Sequence, residues 1–135
     1  MYELKIENAS LETLTEVLTF VESHLEEAGW PLKSQMQVDV AVEEIYVNIV
    51  HYAYSPATGP AEIQMEIENG ETVSITFIDQ GVPFDPTARK DPDVSLSAED
   101  REVGGLGIYM VKKLMDHVAH SYREGQNILT LKKNR

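Results

Sequence analysis

Apolar residues fall at helical spacing in three segments and alternate with polar ones in five shorter runs. Between Leu11 and Ala28, one helical face collects Leu11, Leu14, Val17, Leu18, Val21 and Leu25. Asn8 or Ser10 stands ready to cap that helix, and Gly29-Trp30-Pro31 stops it. Ser34 offers a cap for a second helix over about Gln35–Tyr54, whose apolar face includes Val38, Ala41, Val42, Ile45 and Ile49. Ser55-Pro56 and Gly59-Pro60 end it. Tyr2–Ile6 reads as a short strand, and Ala61–Glu68 and Thr72–Ile78 flank Asn69-Gly70, a hairpin signal because both turn positions accept positive φ. A third helix is expected over Leu106–His117, then strands near Val118–Arg123 and Asn127–Lys132 around Glu124-Gly125.

Residues 83–103 break this regularity. Pro83, Pro86 and Pro92 interrupt any helix, acids are frequent, and large apolar side chains are few. A loop this long inside a small domain is either functional or disordered, and its position between two glycine-bearing motifs reads as a lid. The order β-α-α-β-β-lid-α-β-β predicts one domain over 1–135. Its fold class is α/β (α+β), a two-layer sandwich with a mixed, mostly antiparallel sheet and helices on one face.

Composition narrows the function classes. The 135 residues carry 23 acids against 11 bases, a formal net charge of −12, which argues against gripping nucleic-acid phosphates. Solubility explains such a charge, and so does a basic protein partner. Cysteine is absent, so disulfides and thiolate metal sites are excluded. No apolar run nears the ~20 residues of a membrane span, and MYELKIENAS lacks signal-peptide character, so a cytoplasmic protein without membrane contact is expected.

Candidate chemistry sits at three places. Glu44 and Asn48 are four apart, hence on one helix face about 6 Å apart along the axis. Asn offers a neutral oxygen suited to Mg²⁺, and Glu can orient or deprotonate a nucleophile. An exposed polar stripe also produces E-x-x-x-N. Asp79 ends the apolar strand VSITFI two residues before Gly81, where a carboxylate can accept from an amino group such as adenine N6 and glycine lets the base approach. A simple turn also produces D-x-G. Gly104, Gly105 and Gly107 open the third helix, whose unpaired N–H groups and dipole suit phosphate; tight helix packing would demand glycine as well. Neither a P-loop nor a dinucleotide fingerprint occurs. His24, followed by LEEAGW, lacks the H-E-x-x-x-P pattern of a phospho-accepting helix and reads as a solvated surface histidine, while His51, His117 and His120 lack metal-ligand spacing and read as structural. Trp30 reads as a packing anchor, and Met36, Met65, Met110 and Met115 as core gap-fillers.

In combination, EEIYVNIVHYAY (Glu43–Tyr54), DQGVPFDP (Asp79–Pro86) and GGLGIYMVKKLMD (Gly104–Asp116) resemble the N, G1 and G2 boxes of the GHKL ATPase superfamily. The compact length, the PFDP segment and the GGLGI start resemble its anti-sigma-factor serine/threonine-protein kinases. The resemblance implies ATP (or ADP) and Mg²⁺ as cofactors, with Asn48 on the metal, Asp79 reading adenine, and Glu44 as catalytic base. The implied nucleotide-binding set is Asn48, Asp79, Gly81, Gly104, Gly105, Leu106, Gly107, Ile108 and Asn127. It further implies binding of a sigma factor, phosphorylation of an anti-sigma-factor antagonist protein, and a possible homodimer through the apolar face of the first helix, a face that core packing explains equally. Three positions depart from the pattern. Tyr52 stands where the family often has His, Val82-Pro83 replaces a second glycine, and Gly125-Gln126-Asn127 replaces Gly-Thr-Thr. Two other readings remain: a non-catalytic nucleotide-dependent binding module, and a detached histidine-kinase catalytic domain.

Overall fold

The structure, a computed structural model, describes residues 1–54, 56–88 and 105–135. Among the described residues, five strands form one sheet: β1 (Tyr2–Ile6), β2 (Ala61–Glu68), β3 (Thr72–Asp79), β4 (His117–Arg123) and β5 (Gln126–Asn134). Their spatial order is β1-β2-β3-β5-β4 and every neighbouring pair is antiparallel, so the mixed sheet expected from the element order is instead wholly antiparallel. Two hairpins account for much of this. Asn69 and Gly70 turn β2 into β3, and Glu124 and Gly125 turn β4 into β5, all four at positive φ.

Helices α1 (Leu14–Glu27), α2 (Leu32–Asn48) and α3 (Gly105–Leu114) cover one face. The inward rows Val73-Ile75-Phe77 and Leu129-Leu131 pack under Val17, Val21 and Leu25 of α1, Val38, Val42 and Ile45 of α2, and Ile108 and Val111 of α3. The apolar face of α1 is therefore spent on the core: Val17, Val21 and Leu25 have no exposed surface. Leu14 and Leu18 of the same face are partly buried against that core, and Leu11 at its start is 55% exposed.

Element boundaries shift for local reasons. A 3₁₀ turn, Leu11–Thr13, leads into α1, with Ser10 at its cap position donating its N–H to Thr13 Oγ1 at 3.0 Å. Helix α2 starts earlier than Ser34, because extended Pro31 (φ −59°, ψ 143°) takes the cap position and turns the chain directly into helix. After Asn48 the helix widens into a π turn, Ile49–Ala53. Helix α3 stops at Leu114 rather than His117, because His117 pairs with Lys132 in the sheet and Lys133 Nζ donates to the Leu114 carbonyl at 3.1 Å.

Trp30 is buried as anticipated, and so are Met65 and Met115. Met36 and Met110 are not core: 59% and 42% of their surfaces are exposed, because both point away from the sheet. Of the expected lid, Pro83–Ala88 is described and ends in a 3₁₀ turn at Pro86–Ala88, while 89–103 and Gly104 lie outside the described residues. Among the described residues, no helix is long and apolar enough to cross a membrane.

Candidate functional site

The alternation that builds the core also delivers the site. Asp79 is the next inward position after Phe77 on β3, and Asn127 the one before Leu129 on β5; the register sets them opposite each other. Both are buried polar residues at the rim of an apolar layer. Asn127 Nδ2 donates to Asp79 Oδ1 at 3.0 Å and to the Val82 carbonyl at 2.8 Å. Its Oδ1 accepts from the Phe84 N–H at 3.1 Å and contacts His120 Nε2 at 2.9 Å. An amide oxygen only accepts, so Nε2 carries the hydrogen. His120 Nδ1 lies 3.8 Å from Asp85 Oδ2.

Asp79 Oδ1 also takes the Gly81 N–H at 2.9 Å, leaving Oδ2 without a hydrogen bond among the described residues. Asp79 lines a cavity whose apolar walls come from Ile45, Ile49, Phe77 and Leu129, with Asn48 on its lining. Tyr52 and Phe84 stack across it, ring centres 5.4 Å apart. A flat, largely apolar slot with one buried carboxylate oxygen fits a heteroaromatic base bearing an amino group.

The π turn shapes the edge of this cavity. It leaves the Ala53 carbonyl to accept the Val82 N–H at 3.1 Å, so the chain beyond β3 lies directly on the helix end. Gly81 is required there for packing: a Cβ at 81 would strike the Ala53 carbonyl and Cβ. Tyr54 locks the same junction, accepting from the Gln80 N–H at 2.7 Å and donating to the Pro60 carbonyl. Burial pushes its phenol above the ordinary value.

Glu44 and Asn48 both stand half-buried on α2, one turn apart, and Glu43 points to solvent. The carboxylate of Glu44 rests against Gly107, where a Cβ would collide with its Oε2 and come within 3.2 Å of its Cδ. Gly105 begins α3 and Leu106 follows it. Ile108 faces the hydrophobic core rather than the cavity. Asn48, Asp79 and Asn127 thus meet in one cavity, with Glu44 and Gly107 a helical turn away. His120, Tyr52 and Phe84 were not singled out as site residues from sequence. The even spacing of His120 within the alternating strand HVAHSYR was the signal available for it.

Among the described residues, no group of three His, Cys, Asp or Glu could hold a metal by itself. A lone amide such as Asn48 suits Mg²⁺, which keeps waters and substrate phosphates as its other ligands.

The family described as the histidine kinase-like ATPase domain matches residues 8–133. The serine/threonine-protein kinase BtrW of Bordetella bronchiseptica is 28% identical over 120 residues, covering 88% of this chain and 84% of its own. The serine-protein kinase RsbW of Listeria monocytogenes is 30% identical over 110 residues, 78% of this chain and 69% of its own. Among solved structures, the RsbU and RsbW domains of Rv1364c from Mycobacterium tuberculosis superpose with a TM-score of 0.67 at 16% identity, over all of this chain and 33% of that one. The SiaB–SiaC complex from Pseudomonas aeruginosa gives a TM-score of 0.59 at 16% identity, over 98% of this chain and 89% of that one. At such identities the two structures bear on the fold alone.

Proposed function

The chain belongs to the histidine kinase-like ATPase domain family, and from that premise we propose that it is an ATP- and Mg²⁺-dependent anti-sigma regulatory kinase. It transfers the γ-phosphoryl group of ATP to a serine or threonine of a small antagonist protein, and binds a sigma factor in its other state. The observation that carries the reading is the buried Asp79–Asn127 pair facing an apolar slot, with Glu44 a turn beyond Asn48. The kinase names of BtrW and RsbW support it.

In this reading Asp79 Oδ2 accepts from the exocyclic amino group of adenine, and the apolar walls hold the base. Asn48 would hold Mg²⁺ through its side-chain oxygen, and the metal would neutralise charge on the phosphate oxygens. Glu44 accepts the proton of the incoming hydroxyl as its oxygen bonds to the γ-phosphorus. The bond between that phosphorus and the β–γ bridging oxygen breaks, and ADP leaves. The start of α3 lies beside Glu44 and offers N–H donors to the phosphates. Pro83–Ala88 begin the cover over this site, and the chain acts as a single domain.

Incubation with γ-labelled ATP, Mg²⁺ and antagonist domains encoded nearby tests this. Label on a serine or threonine of one antagonist is the expected result. Nucleotide binding with no transfer to any of them replaces the kinase with a nucleotide-dependent binding module.

A further inference from the structure

We propose that the outer groove between α2 and α3, with the carboxylates flanking it toward α1, docks a basic amphipathic helix of a partner protein. Leu32, Met36 and Val40 recur every four residues on the solvent side of α2, a row spanning about 12 Å, or two turns of a docked helix. Leu32 and Met36 are 71% and 59% exposed. Met110 and Leu114 of α3 line the other wall of this groove. A contiguous apolar strip on an otherwise charged surface marks a contact site, and two exposed methionines adapt readily to a partner's side chains.

Charge identifies the occupant. Residues 11–48 hold eight carboxylates and a single base, Lys33, which lines the groove, while α3 adds Lys112 and Lys113 and no acid, so the negative side of the strip is the one toward α1. Across the row from α3, Leu32 and Met36 also border a second groove lined by Glu22, Glu26 and Asp39. Asp39 Oδ1 is buried there and accepts no hydrogen bond among the described residues. Its carboxyl is pushed up to about 7, first by burial, then by Glu22 beside it and Glu43 on its own helix. A Lys or Arg from a docked helix would pair the exposed carboxylates of Glu22 and Glu26 and relieve the crowding of like charge around Asp39, while apolar residues of the same helix fill the strip.

This surface goes beyond the phosphoryl-transfer reading and is tested without nucleotide, so the two stand or fall separately. The probe is a fluorescein-labelled helical peptide of about 18 residues, leucines on one face and lysines on both flanks, with a glutamate-flanked twin as control. Anisotropy should show the lysine peptide binding and the glutamate twin not. Leu32→Ser and Met36→Ser, both at exposed sites, should weaken binding at least about tenfold with unchanged melting curves. Glu22→Gln with Glu26→Gln should weaken it and flatten its salt dependence. The same charge loss on β2, Glu66→Gln with Glu68→Gln, should leave it unaltered. Equal weakening by the β2 pair, or none by the serine variants, overturns the proposal. So does a sedimenting dimer that Met36→Ser splits, since the occupant would then be a second copy of this chain.

Discussion

The carboxylate of Glu44 rests on the bare Cα of Gly107, so the helix that opens with the glycine-rich segment also sets the position of the proposed base. Two explanations of that glycine, phosphate contact and close helix packing, make different forecasts. Gly107→Ala forces Glu44 to swing aside. If packing is the main role, the variant should bind ATP within about threefold of wild type and lose at least ~10²-fold in transfer rate, the loss expected for a displaced base. A parallel loss of ATP affinity, read by titration calorimetry, would assign Gly107 to the phosphates instead.

Glu44→Gln keeps the shape of the side chain and removes the proton acceptor. It should bind nucleotide as wild type does and lose ~10²–10⁴-fold in transfer. Glu43→Gln, on the solvent side, should cost little. Full activity in Glu44→Gln would remove Glu44 from the mechanism.

Nucleotide should raise the melting temperature, because a ligand that binds only the folded state stabilises it by RT ln(1 + [L]/Kd), about 2.7 kcal/mol at a hundredfold excess over Kd. Asp79→Asn should abolish most of that gain by replacing the carboxylate acceptor. Asn48→Ala should abolish only the part that appears when Mg²⁺ accompanies ATP. A wild-type melting curve unmoved by millimolar nucleotide would sink the nucleotide site.

Much of this was legible in the chain, because the signals were local. Alternation located all five strands, Asn69-Gly70 and Glu124-Gly125 located both hairpins, and Glu44, Asn48 and Asp79 stood out by spacing and by their place at element ends. What escaped depends on residues distant in sequence. Gly81 is glycine because the end of the π turn lies against it, 28 residues away from Ala53 in the chain. His120 joins the site only through the β4–β5 register. Met36 and Met110 look like core by composition, yet which side of a helix is buried depends on the sheet beneath it.

Asp39 makes folding sensitive to pH with a definite sign. Its folded carboxyl titrates near 7, against about 4 when unfolded. Between those values the folded chain retains a proton that the unfolded chain has released, so this group erodes stability as pH rises from about 4 to 7 and no further above. Glu22 from α1 and Glu43 from α2 are the charges that face it. Asp39→Asn, neutral throughout, should melt higher than wild type at pH 8, and the advantage should shrink toward pH 4. An equal difference at both pH values would mean that Asp39 titrates normally.

Asn127 is the hub on which the first residues of the cover depend. Asn127→Ala removes the partner of the Val82 carbonyl, the Phe84 N–H and His120 Nε2, and strips one donor from Asp79. Leaving such buried groups unpaired should cost about 2–3 kcal/mol, a fall of roughly 6–12 °C in Tm. Asn127→Asp preserves the shape but sets a second carboxylate against Asp79. It should therefore be the less stable of the two at pH 7 and regain stability on acidification, as one proton comes to be shared by the two carboxylates. Hydrogen exchange adds a local reading: the Phe84 amide should lose protection in Asn127→Ala, while the amide of Ile75, deep in β3, keeps it relative to global unfolding. If Phe84 stays as protected as in wild type, the start of the cover is held by something other than Asn127.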